Sequence, residues 1–188
     1  MKLNDYIEKE QYKDQTIEGS HNYTEIVSSE FTNCNFSSAT FQGIDMNEVK
    51  LNKCNFSNTE LTSHSYQNIT FENCNLVGTN FIDSYFEYVT FKNCNLLYSN
   101  FNGTTLKNVS FENCNIKEGS FNNIKWNNLV FNTCNLQNSE FINTSLKKLD
   151  LRTNDITNIK ININNLKGLV VDYDQAINLS LLLGIIIK

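Results

Sequence analysis

The sequence predicts an all-β fold, a square-sectioned β-solenoid closed by a short C-terminal α-helix. Two periodicities and one break predict it. Large apolar residues recur every five positions, as in Phe71, Leu76, Phe81, Phe86 and Phe91, and the spacing runs without insertion from Ile26 to Leu166. The cysteines Cys34, Cys54, Cys74, Cys94, Cys114 and Cys134 stand twenty residues apart, each followed by Asn. The break comes after Lys167-Gly168, where the repeat gives way to LVVDYDQAINLSLLLGIIIK.

A helix returns to the same face every 3.6 residues and a strand every two, so a spacing of five fits neither. It fits a short extended piece followed by a turn. If the path turns a right angle after each five, four units close a square of twenty residues. The next coil then starts one strand spacing higher, about 4.8 Å. The large residue at the centre of each side and the small residue two positions earlier both point inward, and the rest point out. Backbone hydrogen bonds join successive coils, as in other β-solenoids. Seven coils give a rod on the order of 35 Å tall, with open strand edges at its ends that need covering. With no proline and only 7 glycines, the corners must be built from Asn, Asp, Ser and Thr, which bend by bonding their own backbone.

Taken in order, residues 1–20 are charged and weakly patterned, and are expected to form an N-terminal cap anchored by Tyr6, Tyr12 and Ile17. Residues 21–167 form the solenoid. Within it His64 stands in an inward slot usually given to Ser or Thr, and is expected to bulge its corner or to find a buried partner. Asn154 and Asn164 take the same kind of slot near the end. Residues 168–188 are expected to form a helix and a strand. Asp172 and Gln175 make a capping box, and Gly184 sits where a helix C-terminus favours positive φ. The helix between them is too short to stand alone and is apolar nearly all round, which demands burial. One rod end cannot cover every side, so a homodimer is expected through Ala176, Leu179, Leu182, Leu183 and Ile185.

The units Cys74-Asn75-Leu76-Val77-Gly78 and Thr79-Asn80-Phe81-Ile82-Asp83 resemble the pentapeptide repeat, small–Asn/Asp–Leu/Phe–any–any, and the resemblance covers residues 26–166. It implies a right-handed quadrilateral β-helix. The ending from Gly168 to Ile187 is similar to that of the quinolone-resistance subgroup, the Qnr and MfpA proteins. That second resemblance implies dimerisation through the C-terminal segment, binding to DNA gyrase or topoisomerase IV, and protection from quinolones by partial DNA mimicry. Some Qnr members carry loops that protrude from the coil; this chain has none and is closer to the MfpA type. Two alternatives stay open, a generic adaptor or structural rod and an immunity protein against a gyrase-targeting toxin.

The rest of the sequence narrows the function by what it lacks. No nucleophile–base–acid set, phosphate-binding glycine loop or paired-carboxylate signature is present, so the protein is read as a non-enzyme without a cofactor. A line of thiols does not converge as zinc ligands do, and the cysteines are read as small packing residues. The Asn residues beside them are read as a ladder of amides. The eight N-x-S/T sequons, Asn22 among them, come from an Asn/Ser/Thr-rich repeat, and without an export-type apolar run the expected location is the cytoplasm. The apolar run from Leu179 to Ile187 is too short to span a membrane.

Residues 1–118 hold 15 acids and 8 bases, a balance of −7; residues 119–188 hold 5 acids and 7 bases, a balance of +2. That is no basic nucleic-acid footprint, and direct DNA binding is not expected. Glu72, Asp83, Glu87 and Glu112 are the candidates for a topoisomerase-facing surface. Duplex DNA of the rod's length would carry on the order of 20 charges, so the acidity copies it faintly. Lys92 interrupts the Glu72–Glu112 column, and Lys147, Lys148, Arg152, Lys160 and Lys167 add positive charge towards the dimer end. Shape and specific contacts are therefore expected to matter more than charge.

Overall fold

The computed structural model describes residues 1–186 of the chain. The protein is a β-solenoid of about 8 turns with one short C-terminal helix. Each coil has four sides, named here by the central residues Phe86, Phe91, Leu96 and Phe101. The Phe86 and Phe91 sides are extended and build one parallel sheet of 11 strands. From Thr24 onward partners lie twenty residues apart, as in Phe71 with Phe91 and Val109 with Leu129. Through most of the rod the Leu96 and Phe101 sides are tighter. There a turn closes each side, as where the Ser99 amide donates to the Leu96 carbonyl at 3.0 Å, and single bridges such as Asn75 with Asn95 join the coils.

The interior is a pair of aromatic columns at right angles. Phe91 stacks on Phe71 and Phe111 with centroids 4.8 and 4.7 Å apart, the strand spacing itself. Phe101 stacks on Phe81 and Phe121 at 4.9 and 5.0 Å. Across the square, Phe101 meets Phe111 edge to face at 5.7 Å and 88°, an arrangement that places a ring edge on a ring face. The thiols lie in the small slots beside these columns, free and buried, and Cys94 and Cys114 donate at 3.4 Å to the Phe71 and Phe91 carbonyls. Burial pushes the Cys34 thiol above its ordinary pKa, the condition of an inert packing group.

The corners carry the conformational cost of the fold. Among the described residues 24 non-glycine corner positions have φ between 48° and 71°, and 12 of them are Asn. Asn tolerates the left-handed region because its short amide bonds locally. A second set of asparagines, next to the cysteines, forms part of the expected ladder: Asn55 donates to Asn35, Asn75 to Asn55 and Asn115 to Asn95, each at 3.0 Å, and the run ends at the unbonded Asn115 oxygen.

Two expectations need correction. Residues 1–20 fold as a further coil, with Ile7 paired to Ile26 and Tyr12 to Phe31. The offset is nineteen residues and shifts to twenty beyond Ile17, where Glu18 pairs with Ser38. Ile7 is buried and Tyr6 is exposed, so Ile7 is the anchor; a one-residue slip in a strand reverses which side chain points inward. His64 does not bulge its corner, and its ring meets the Ser63 backbone rather than a side-chain partner. Its neighbour Tyr66 keeps the register with Met46 and Phe86, and its buried Nε2 bonds to nothing.

Candidate interaction surfaces

The C-terminal end is assembled by local chemistry. The Asp172 carboxylate accepts from the Gln175 amide at 2.8 Å, and the Gln175 side-chain oxygen accepts from the Asp172 amide at 3.1 Å. The helix Tyr173–Ser180 follows, then a 3-10 turn Leu181–Leu183 ended by Gly184 at φ 72°. Gln175 also reaches into the rod, donating at 2.9 Å to the Leu151 carbonyl and at 2.7 Å to that of Asn154. The sequence revealed its capping role but not this one, which depends on where the last coil presents its unpaired carbonyls.

Of the residues proposed for a dimer, Leu179 packs on the core and Ala176 is exposed. Leu182, Leu183 and Ile185 are also exposed, together with Leu181 and Ile186, the last at 82%. Ile185 and Ile186 carry no strand, and the remainder of the expected strand lies outside the described residues.

The pentapeptide repeat region pattern matches residues 24–101, 64–141 and 102–170, together reaching through 24–170. The chain belongs to the pentapeptide-repeat family. Among solved structures it is similar to full-length QnrB1, a plasmid-mediated fluoroquinolone resistance protein, at 18% identity over 96% of this chain and 100% of that one, with a TM-score of 0.37. HetL from Nostoc sp. strain PCC 7120, a pentapeptide-repeat protein involved in heterocyst differentiation regulation, aligns at 13% identity over 84% of this chain and 86% of that one, with a TM-score of 0.38. No curated protein is significantly similar to the chain in sequence.

On the pentapeptide-repeat rod the four candidate acids do not converge. Glu72 and Glu112 share a lane on the Phe91 side with Lys92 between them, and Lys92 reaches Glu72 at 3.5 Å. Glu87 lies on the adjoining Phe86 side, in register with Lys107, and accepts from the Tyr85 hydroxyl at 2.7 Å. Asp83 occupies a corner at φ 56°, where its carboxylate lies over Gly103 so closely that a Cβ there would overlap it. The acidity gathers instead towards the N-terminal coils, where residues 1–60 hold 10 acids and 5 bases. No helix among the described residues is long and apolar enough to cross a membrane, and no cluster of metal-ligating side chains occurs among them.

Proposed function

We propose that the protein is a non-catalytic partner of a type II topoisomerase, DNA gyrase or topoisomerase IV, and protects it from quinolones as a two-fold dimer joined through the C-terminal tail. The observation that carries this reading is the tail. A capped helix docks on the last coil and then delivers Leu181, Leu182, Leu183, Ile185 and Ile186 to the surface together. Contiguous exposed apolar side chains of this kind mark an interaction site, and two such ends brought together hide each other. The resemblance of this same ending to the quinolone-resistance subgroup supplies the partner. The sparse, interrupted acidity makes shape and specific contacts, rather than charge mimicry, the basis of recognition.

Supercoiling by gyrase and decatenation by topoisomerase IV in the presence of a fluoroquinolone test the proposal directly. Recovery of activity at substoichiometric to equimolar protein supports it. Inhibition alone at high excess makes the rod a competitor of DNA without a protective role. The Lys92–Glu72 pairing within an acid lane favours a second reading, an adaptor rod without a topoisomerase role, which absence of any effect on both enzymes would select.

A further inference from the structure

The parallel sheet on the Phe86 and Phe91 sides stops at the strand Lys125–Asn132, which pairs only with Thr105–Glu112. The next coil lies beneath it, yet among the described residues no backbone hydrogen bond joins Lys125–Asn132 to residues 145–152. The other two sides stay closed. Leu136 donates to the Asp155 carbonyl at 2.8 Å, and Glu140–Phe141 pairs with Lys160–Ile161. The coils are therefore hinged apart along one flank.

Two side chains bridge the coils at the borders of this flank. Each cysteine from Cys54 to Cys134 donates to the carbonyl twenty-three residues earlier, as Cys134 does to Phe111 at 3.3 Å. Asn154 takes that slot and makes the equivalent bond to Phe131 at 2.9 Å with a longer side chain, while its oxygen accepts from the Cys134 amide at 2.8 Å. An amide thus stands where the preceding coils carry a thiol. At the other end the indole of Trp126, half-buried instead of fully inward, bridges the gap by donating to the Ser145 carbonyl at 2.7 Å.

The resulting groove encloses about 1350 Å³. Elsewhere in the rod the amides of the central residue and of the corner two later donate to the next coil, as Leu76 does to Asn95 and Gly78 to Leu97. By the same rule the amides of Trp126, Asn128 and Phe131 face this groove, and they have no backbone partner across it. Trp126 and the exposed Val130 supply apolar lining, and Lys125, Lys147, Lys148 and Arg152 outnumber the acids Glu112 and Asp150. Asp150 is taken up by Arg152 at 2.6 Å.

We infer that this groove is a strand-addition site for an extended, acidic segment of a partner protein. An unpaired strand edge is a template for another strand. An eight-residue segment that bends at the Asn128 corner, where φ is 56°, follows Lys125–Asn132 along both sides. Its backbone meets the three free amides, its inward apolar side chains rest on Trp126, and its outward carboxylates face Lys125, Lys147 and Lys148. The inference uses neither the tail nor the topoisomerase reading and stands apart from both.

Trp126 is the sole tryptophan of the chain, so its fluorescence reports occupancy. The probe is a blocked eight-residue peptide alternating Glu with Val and Thr, titrated into the full chain beside a twin with Lys in place of Glu. The Glu peptide is expected to change the Trp126 emission and to slow hydrogen exchange at the Trp126, Asn128 and Phe131 amides. The Lys twin should do neither, and the variant Lys147→Glu/Lys148→Glu, with melting unchanged, should bind the Glu peptide at least tenfold more weakly. Equal response to both peptides, or response to neither, overturns the proposal. So does the same emission change with short duplex DNA, which would make the groove a nucleic-acid site. An emission that changes with the concentration of the chain alone would assign it to a second copy and equally overturn it.

Discussion

The side-chain amide of Gln175 donates at 2.7 Å to the carbonyl of Asn154, and Asn154 in turn holds the Cys134 amide of the coil above. The helix is thereby tied to the rod by the same buried chain of polar groups that joins the last coils. Gln175→Ala leaves two carbonyls unbonded and breaks the capping box, at a cost of about 1–3 kcal/mol for each buried group left unsatisfied. In a chain of this size each kcal/mol lowers Tm by roughly 2–4 °C. Thermal melting should show the loss, and limited proteolysis should show earlier cleavage beyond Val171. A tail as protease-resistant as in the wild type would show that apolar contacts alone dock the helix.

Gly103 and Asp83 form a corner pair whose fit is testable by a double-mutant cycle. Gly103 has φ 71°, and a Cβ there meets the Asp83 carboxylate. Gly103→Ala carries the left-handed penalty of about 1–2 kcal/mol together with the steric clash. In Gly103→Ala/Asp83→Ala the clash is gone and the backbone penalty remains. Urea unfolding of the four proteins should therefore give a double variant more stable than the sum of the singles predicts. Additive effects would mean that the Asp83 side chain swings aside freely.

The oligomeric state rests on the exposed leucines. Light scattering on the wild type is expected to give a dimer, and Leu182→Asp, a charge placed at a side chain 42% exposed in the single chain, should give a folded monomer. Circular dichroism identical to the wild type confirms that only association was lost. A wild type that is monomeric across the micromolar range removes the dimer from the proposed function.

The five-residue step, the cysteine ladder and the capping box were legible because each depends only on local spacing and residue size. The first coil was not. Ile7, Tyr12 and Ile17 keep the step of five, but the single residue missing beyond Ile17 takes the coil out of the twenty-residue alignment. The groove was half legible. Asn154 stood out in an inward slot, yet its bonds to Phe131 and Cys134 depend on how the neighbouring coil presents its backbone. Trp126 read as one more large central residue. Its departure from the core shows only once the carbonyl of Ser145 is in place to receive it.

His64 supplies a pH dependence with a definite sign. It is 8% exposed, and its Nε2 has no partner. Burial lowers its pKa below the ordinary 6.5, opposed in part by Asp45 and by a hydrogen bond with the Ser63 backbone. The unfolded chain therefore binds the proton more readily than the folded one. The stability His64 permits is full above about pH 6.5 and is lost as the pH falls below it, at no more than about 1.4 kcal/mol per pH unit. His21, stacked on Phe41 at 5.1 Å and likewise lowered by burial, acts in the same direction at the first coil. Thr is the side chain that fills this lane at Thr24, Thr104 and Thr144, all buried, so His64→Thr should fold in the same register. Urea midpoints measured from pH 7.5 down to about pH 5 should fall less steeply in His64→Thr than in the wild type. The two proteins differ at this one side chain, which leaves the difference in slope to the histidine. Parallel curves would mean that His64 takes its proton within the fold, finding water or Asp45 by a small movement of the corner.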